Sequence, residues 1–338
     1  MDLNIKKQNL VKIKQYIINV LSDKYAKNIA ITCHLSPDGD ALGSAISLAL
    51  ALSSASFNKK VDIIIPSYSS NFLPVIKNVN IVKDAYKTYD LCFLLDCSDK
   101  NRTINSIDDI SKCLIVIDHH IDSSPIGNIY LCDNKASTTM ILFDIFKTMN
   151  IPITSDIATA LYLGIFSDTS GFSNFNVTDE VHSMTAELIN LDANINLVHN
   201  ICKAKTLAMS KLMYELLSRL EYDEQYRIVY LVLLREDLYA NHVSYDIVDF
   251  LMEEMKNIKE ADVALLFIES KNDTKIKARS KGNIQINHIM GYFNGNLYGG
   301  SHKNASGAMI DSVNIYNIVD SVLSRTKMYL DEHPEERN

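Results

Sequence analysis

The first half of the chain contains four short runs of almost uninterrupted apolar residues. They cover residues 28–33, 61–65, 91–96 and 113–118. A run of this length without polar alternation is typical of a strand buried on both faces, as in a parallel sheet covered by helices. Segments with apolar residues three and four positions apart predict helices at 7–22, 138–149, 154–166 and 178–190. The pattern therefore predicts an α/β domain with a mostly parallel, doubly wound sheet.

The pattern changes after an amphipathic helical segment at 207–220. Beyond it, shorter strand-like and helix-like segments alternate, which predicts a second, smaller α/β domain. These segments are strands at 226–234, 261–269, 274–280 and near 308, and helices at 245–257, 284–293 and 313–330. We therefore expect a first domain at 1–194, a helical linker at 195–222 and a second domain at 223–338.

The composition fits two folded domains and narrows the class of partner. The 338 residues are 47% hydrophobic and 22% charged, with a formal net charge of −8. Such an acidic chain is poorly suited to duplex DNA, whose phosphates attract basic surfaces. The N-terminus lacks the apolar stretch of a signal peptide, no apolar window is long enough for a bilayer, and the six cysteines form no CxxC pair. We expect a cytoplasmic protein that binds neither duplex DNA nor a membrane.

Histidines and aspartates follow the predicted strands at the points where the strands end. The first run leads into HLSPDGD at 34–40, the third ends on Asp96, and the fourth ends in DHH at 118–120. A further apolar segment, 160–166, is followed two residues later by Asp168. Because the carboxyl ends of parallel strands meet at one edge of a sheet, we expect one cluster there. Its members are His34, Asp38, Asp40, Asp96, His119, His120 and Asp168.

Four carboxylates in one cluster need positive charge between them to remain ionised. Divalent metal ions supply that charge, and mixed imidazole–carboxylate ligation suits Mn²⁺, Fe²⁺, Co²⁺ or Zn²⁺. At least six candidate ligands favour two metal ions, an arrangement that hydrolyses phosphoesters. Taken alone, SPDGD is also a good β-turn and Asp96 can cap a helix. The combination of all these motifs favours the metal site.

Five motifs occur along the chain in a characteristic order. They are HLSPDGDALGS at 34–44, LLDCSD at 94–99, VIDHH at 116–120, GIFSDTSGF at 164–172 and YGGSHKNASG at 298–307. In this set the chain resembles the DHH phosphoesterase superfamily with its DHH-associated C-terminal domain. The resemblance implies an active site in the cleft between the two domains. The compact size is similar to that of the oligoribonucleases called nanoRNases and of 3′-phosphoadenosine-5′-phosphate phosphatases.

The resemblance implies a role for each member of the cluster. It implies two divalent metal ions, with Mn²⁺ as the favoured metal. The implied ligands are His34 and Asp38 for the first ion, Asp40, His119 and Asp168 for the second, and Asp96 as a bridge between them. His120 is implied to contact the scissile phosphate or to help protonate the leaving group, and Asp118 to orient His119.

The resemblance also implies substrate contacts in the second domain. The expected contacts are Arg279 and Ser280, which match an Arg–Ser pair of the family, and Gly299, Gly300, Ser301 and His302 in the glycine-rich motif. Ser301 departs from the family pattern, in which glycine is usual. The basic residues that alternate along 275–281 fit either a cationic wall for phosphates or an edge strand protected by lysines. Arg102 fits a phosphate contact and a solvent-facing position equally well.

These features predict a phosphoesterase that acts on small nucleotides. The expected substrates are short single-stranded RNA, cleaved to mononucleotides, and 3′-phosphoadenosine 5′-phosphate (pAp), cleaved to AMP. Cyclic di-AMP, or its linear product pApA, is the alternative substrate class, because the same metal chemistry serves each. A nucleotide sensor without turnover is a more remote alternative. The sequence leaves the oligomeric state open, with a homodimer as one option.

Overall fold

The chain folds into two compact units, Met1–Ala204 and Lys205–Asn338. A computed structural model describes residues 11, 12, 15, 26–54, 57, 59–120, 126–293, 303–311 and 314–337. The boundary between the units falls inside the segment predicted as a linker, 195–222. Most of the predicted helix at 7–22 lies outside the described residues. The three of its residues that are described, 11, 12 and 15, are helical.

Six parallel strands form the sheet of the first unit. They are β1 (Asn28–Thr32), β2 (Lys60–Ile64), β3 (Asn80–Val82), β4 (Leu91–Leu95), β5 (Leu114–Asp118) and β6 (Ile129–Cys132). Their order in the sheet is β3-β2-β1-β4-β5-β6, and every neighbouring pair is parallel. The order reverses between β1 and β4, the switch point at which doubly wound folds bind ligands. The fold class predicted for this domain is confirmed.

Both faces of this sheet are covered, which explains the lack of polar alternation in the strands. The helices of the unit are α1 (Gly39–Ser53), α2 (Thr138–Thr148), α3 (Ser155–Asp168), α4 (Asp179–Asn190) and α5 (Ile195–Lys203). They pack against one face, in a core that includes Ile31 and Phe93. The opposite face packs against Ile104, Ile107 and Ile110.

Glycines allow α1 and α3 to pack closely beside each other. A Cβ atom at Gly43 would collide with the carbonyl oxygen of Ala160. A Cβ atom at Gly164 would collide with the side chains of Thr139 and Asp40. The close approach therefore depends on residues without a side chain, and it brings Asp40 in α1 near the end of α3.

The second unit contains a smaller mixed sheet. Its strands are β7 (Glu221–Asp223), β8 (Ile228–Leu233), β9 (Val263–Glu269), β10 (Asp273–Ser280) and β11 (Ala305–Asp311). The order is β11-β10-β9-β8-β7; β8 and β9 are parallel, and the other pairs are antiparallel. The helices are α6 (Leu207–Ser218), α7 (Arg235–Asn241), α8 (Ile247–Lys256), α9 (Ile286–Gly291) and α10 (Ile315–Glu332). The two faces contribute to separate cores, one with α6 and α8 and one with α9 and α10.

The sequence did not predict three strands, β3, β6 and β7. Each lies at a sheet edge and is at most half-buried over most of its length, so none carries a continuous apolar run. The edge-strand explanation for the basic residues at 275–281 is wrong, because β10 pairs with β9 on one side and β11 on the other. Among the helices of the described residues, none has the length and apolar character needed to cross a bilayer.

Candidate metal centre

The carboxyl end of β1 carries the first two candidate ligands. His34 follows the strand by two residues and is buried. Asp38 is the N-cap of α1, and its Oδ1 accepts the backbone N–H groups of Asp40 and Ala41 at 3.0 and 3.1 Å. The acidic turn thus caps a helix. It also brings ligand atoms of His34, Asp38 and Asp96 within 4.8 Å of one another.

Asp96 lies at the centre of the cluster. It follows β4 directly, is 4% exposed, and has a left-handed φ of 54°. Its Oδ2 lies 3.7 Å from Nε2 of His34, and its Oδ1 lies 3.5 Å from Nε2 of His119 and 3.7 Å from Nδ1 of His120. Thr138 donates its hydroxyl to the same Oδ1 at 3.1 Å. A left-handed backbone costs a residue with a side chain about 1–3 kcal/mol, so the surrounding structure must maintain this orientation.

The end of β5 carries Asp118, His119 and His120, and Asp118 is fully buried. Its Oδ1 accepts the backbone N–H of His119 at 2.8 Å and lies 2.7 Å from Nδ1 of His120. Burial acts to lower the pKa of His120, but this hydrogen bond and the charge of Asp96 outweigh it and raise the pKa to about 9. Asp118 therefore holds the ring of His120, whereas the family resemblance implies that it orients His119.

The ring of His119 is held instead by a backbone carbonyl. Its Nδ1 lies 3.2 Å from the carbonyl oxygen of Lys135, a donor–acceptor pair that needs the proton on Nδ1. Its Nε2 faces the carboxylates, 3.2 Å from Oδ2 of Asp168 and 3.5 Å from Oδ1 of Asp96. This arrangement leaves Nε2 as the atom suited to bind a metal.

Asp40 is held at the N-terminus of α2. It is fully buried, and its carboxylate accepts the backbone N–H groups of Thr138 at 2.7 Å and Thr139 at 3.0 Å. The Thr139 hydroxyl donates a third hydrogen bond at 2.9 Å. The first N–H groups of a helix have no partner within the helix and bind anions readily. The sequence predicted a helix at 138–149, and the start of that helix was the available signal for this contact.

Asp168 reaches the cluster from the last residue of α3 rather than from the end of a strand. Its backbone carbonyl accepts hydrogen bonds from the amides of Asn174 at 3.0 Å and Asn176 at 3.3 Å. The Asn176 amide also donates to the carbonyl of Ala136 at 3.3 Å. These contacts tie the end of α3 to the segment before α2, and no sequence motif predicted them.

The crowded carboxylates perturb one another strongly. Burial, followed by the charge of Asp96, raises the pKa of Asp40 to about 7. Burial, followed by the charge of Asp40, raises the pKa of Asp168 well above its ordinary value. Burial acts in the same direction on Asp96, but the adjacent imidazoles outweigh it and lower its pKa to about 2. A divalent cation would relieve this repulsion.

The structure brings all seven candidate ligands together. Three groups of ligand atoms each lie within 4.8 Å of one another: His34 with Asp38 and Asp96, Asp40 with His119 and Asp168, and Asp96 with His119 and His120. Asp96 and His119 each belong to two of these groups. Oxygen and imidazole nitrogen donors in this mixture fit a divalent transition metal, and each group could hold such an ion.

The expected substrate contacts lie apart from this cluster in the sequence. Arg279 is half-buried at the end of β10; burial lowers its pKa, and its Nη1 donates to the carbonyl of Ala278 at 2.9 Å. The Ser280 hydroxyl donates to the carbonyl of Ile284 at 2.7 Å. The other expected contacts, Gly299, Gly300, Ser301 and His302, lie outside the described residues. Arg102 lies near the cluster of candidate ligands, where its positive charge acts to lower the pKa values of His34 and His120.

Two family matches cover most of the chain. Residues 28–165 match the DHH family, N-terminal domain, and residues 225–328 match the DHHA1 domain. The chain belongs to the DHH family. One match falls in each compact unit, and the first contains every candidate ligand except Asp168.

Curated relatives of this DHH-family chain extend over nearly its whole length. The bifunctional oligoribonuclease and PAP phosphatase NrnA of Thermus thermophilus is 25% identical over 301 residues, covering 88% of this chain and 89% of the relative. The protein of the same name from Bacillus subtilis is 25% identical over 309 residues, covering 89% and 94%. The chain is therefore a DHH-family phosphoesterase, a hydrolase of phosphoester bonds.

Solved structures support the DHH fold. An exopolyphosphatase-related protein from Bacteroides fragilis has a TM-score of 0.82 at 23% identity, covering 94% of this chain and 97% of that chain. RecJ from Thermus thermophilus, solved in complex with Mn²⁺, has a TM-score of 0.55 at 13% identity, covering 96% of this chain and 55% of that chain. At these identities the likeness concerns the fold.

Proposed function

We propose that this protein is a two-metal-dependent phosphoesterase that hydrolyses short RNA oligonucleotides to mononucleotides and pAp to AMP. The observation that carries the proposal is the position of Asp96 between the two ligand groups. Asp96 groups with His34 and Asp38, and its Oδ1 lies 3.5 Å from Nε2 of His119, which groups with Asp40 and Asp168. The full-length likeness to relatives named oligoribonuclease and PAP phosphatase supports the choice of substrates. A centre of two ions with few fixed cations around it suits a small phosphoester better than a long duplex.

The proposal assigns the ligands as the sequence resemblance implies. His34 and Asp38 would hold one ion, Asp40, His119 and Asp168 the other, and Asp96 would be shared. Divalent ions bound there would polarise the phosphate and lower the pKa of a water molecule. We propose Mn²⁺ as the metal, because imidazole with carboxylate suits it better than Mg²⁺ or Ca²⁺.

His120 is proposed as the residue that contacts the scissile phosphate or the leaving oxygen. Its Nδ1 lies 2.7 Å from Oδ1 of Asp118, and this contact fixes the orientation of the ring. The ring of His120 is 27% exposed, whereas Asp118 is fully buried. In this role Nε2 gives its proton to the leaving oxygen, and Asp118 stabilises the charged ring and fixes its orientation. Arg102 and Arg279 are proposed to neutralise phosphate oxygens.

A product assay with Mn²⁺ tests the proposal. The substrates are a diribonucleotide, a five-residue RNA, pAp and cyclic di-AMP, and the proteins are the wild type, His119→Ala and, as a matched control, His288→Ala. We expect mononucleotides from the short RNAs or AMP from pAp, with His119→Ala inactive and His288→Ala active, since His288 is exposed and lies in the other unit. Turnover of cyclic di-AMP alone would contradict the proposed substrates. No turnover of any substrate would favour a nucleotide sensor.

A further inference from the structure

A cavity of about 440 Å³ lies in the second unit, outside the carboxyl ends of β8 and β9. Ile268 and Glu269 at the end of β9 line it, as does Arg235, which begins the segment after β8. These two strands are parallel, and ligands of α/β sheets bind outside the carboxyl ends of parallel strands. The volume is within the range of about 300–1,000 Å³ that is typical of small-molecule sites.

Two tyrosines and two cations form the walls of this cavity. Tyr239 is 70% exposed and Tyr245 is 46% exposed. Cζ of Arg235 lies 5.7 Å from the ring centre of Tyr239, and Nζ of Lys275 lies 5.5 Å from the ring centre of Tyr245. Aromatic rings beside permanent cations can stack a nucleobase and bind its phosphate at the same time.

The floor is apolar and the charge balance of the lining is positive. Leu238 and Val243 pack against the core below, and Ile268 is buried. Among the described residues of the lining, Glu269 is the single carboxylate, set against the cations of Arg235 and Lys275. Its Oε2 accepts the backbone N–H of Arg235 at 3.1 Å. In a chain of net charge −8, this local balance suits an anion with a planar, apolar part.

The backbone after α7 is shaped to complete the cavity. His242 ends the helix in the left-handed conformation, with a φ of 52°. The next N–H, that of Val243, donates to the carbonyl of Leu238 at 3.2 Å. This turn brings Val243 and Tyr245 back to the cavity that Leu238 and Tyr239 also line.

The cavity is separate from the substrate contacts expected in the same unit. Lys275 is in register with Ile268, near the end of β9, whereas Arg279 is in register with Ala264, near its start. Four residues of strand span about 14 Å, so the two places lie towards opposite ends of the sheet.

We propose that this cavity is a second site, which binds a free nucleoside monophosphate. The base lies against Tyr239 and Tyr245, and the phosphate contacts Arg235 and Lys275. Glu269 accepts a hydrogen bond from a ribose hydroxyl or from an amino group of the base. This site needs no metal, and it goes beyond the hydrolytic function proposed for the metal centre.

Calorimetric titration of the full-length protein with AMP in EDTA tests the proposal. The double variant Arg235→Ala/Lys275→Ala should weaken AMP binding about tenfold or more, because it removes both charge-assisted contacts. Tyr239→Leu should also weaken it, through loss of stacking. The matched controls Lys211→Ala and Tyr214→Leu, at exposed positions on α6, should change the affinity by less than about twofold. Inorganic phosphate and adenosine should each bind more weakly than AMP.

Three results would overturn the proposal. One is a wild-type protein that does not bind AMP. Another is binding that Arg279→Ala abolishes while the double variant binds as the wild type does. The third is inorganic phosphate that binds as tightly as AMP, which would leave an anion site only.

Photolabelling locates the bound nucleotide independently of any variant that fails to fold. Wild-type protein irradiated with 8-azido-AMP should carry the label on peptides containing residues 235–245 or 268–275, and excess AMP should suppress it. Labelling confined to other peptides would place the nucleotide elsewhere and refute the site.

Discussion

The two sheets of this protein carry side chains of opposite charge beyond the carboxyl ends of their parallel strands. At the switch point between β1 and β4, aspartates and histidines converge, and Asp96 lies within 4 Å of three imidazoles. Beyond the ends of β8 and β9, Arg235, Lys275 and two tyrosines line a cavity. In both units, parallel strands direct their carboxyl ends to the same edge. The crowded carboxylates and imidazoles suit a cation, whereas the guanidinium, the ammonium and the rings suit an anion.

The comparison teaches that topology fixes where a ligand binds and that side chains decide which ligand it is. At the acidic edge, burial and neighbouring carboxylates raise the pKa values of Asp40 and Asp168, and a bound cation would relieve the repulsion. The basic edge is more exposed and needs no buried charge. Substitutions at the acidic edge should therefore have much larger effects.

The largest effect is expected for Asp96→Asn. Loss of the shared carboxylate removes several kcal/mol of charge stabilisation in the transition state, so kcat for the diribonucleotide should fall by about 10³-fold or more. Steady-state kinetics in saturating Mn²⁺ measure this loss. Asp156→Asn, an exposed acid in the first turn of α3, is the matched control and should retain full activity. A kcat of the Asp96→Asn enzyme close to that of the wild type would show that the acidic edge does not take part in catalysis.

Asp118→Asn should reduce kcat by about 10- to 100-fold, the usual cost of losing a residue that orients a ligand or catalytic group. Because Asp118 contacts the ring of His120 whereas Lys135 holds that of His119, Mn²⁺ affinity should change little. Kinetics paired with Mn²⁺ titration separate the two effects. A matching loss of Mn²⁺ affinity would show that Asp118 acts through His119.

Gly164→Ala should destabilise the protein by about 1–3 kcal/mol, because the added methyl group collides with Thr139 and Asp40 in a packed core. It should also weaken Mn²⁺ binding by displacing Asp40. Gly291→Ala is the control, since nothing lies within 4 Å of the added Cβ in α9. Thermal unfolding with and without Mn²⁺ compares them. Equal stability of the two variants would mean that the packing of α1 on α3 does not position Asp40.

The smallest effect is the pH dependence of the metal-free protein. The pKa of Asp40 is raised to about 7 from an unfolded value near 3.9, so the folded state binds more protons between these values. Stability should therefore fall as pH rises from 5 to 7.5 in EDTA, by roughly 2–4 °C in Tm for each kcal/mol lost. The raised pKa values of His34 and His120 act in the same direction. Asp40→Asn should flatten the slope, and a Tm that rises with pH would contradict this account.

Ligands of α/β sheets bind outside the carboxyl ends of parallel strands, and this rule predicted the cluster at the acidic edge from the sequence. The cavity at the basic edge was not predicted. His34, Asp96 and Asp118 to His120 follow long apolar runs that are easily recognised as buried strands. Arg235 directly follows the strand predicted at 226–234, but a single arginine at a strand end forms no motif. Tyr239 lies on α7, a seven-residue helix that the sequence did not predict. At the acidic edge, candidate ligands follow several successive strands, whereas the residues that line the cavity are spread over a helix, a loop and two strands.

The sequence also could not predict the hydrogen bonds that backbone groups donate to or accept from the site residues. Asp40 is held by N–H groups of Thr138 and Thr139, which lie 98 and 99 residues away in the chain, and His119 by the carbonyl of Lys135. Every residue but proline has these groups, so they leave no signature in the sequence. Only the folded chain shows which of them converge on the centre.

The number of Mn²⁺ ions bound per chain tests the central claim most directly. Calorimetric titration of the chelator-treated protein, with metal analysis after desalting, should give two ions per chain. Turnover of the diribonucleotide should appear as the second ion binds, and Asp96→Asn should bind fewer than two ions and remain inactive. A protein that cleaves the diribonucleotide at its full rate in excess EDTA, or with a single bound ion, would contradict the account.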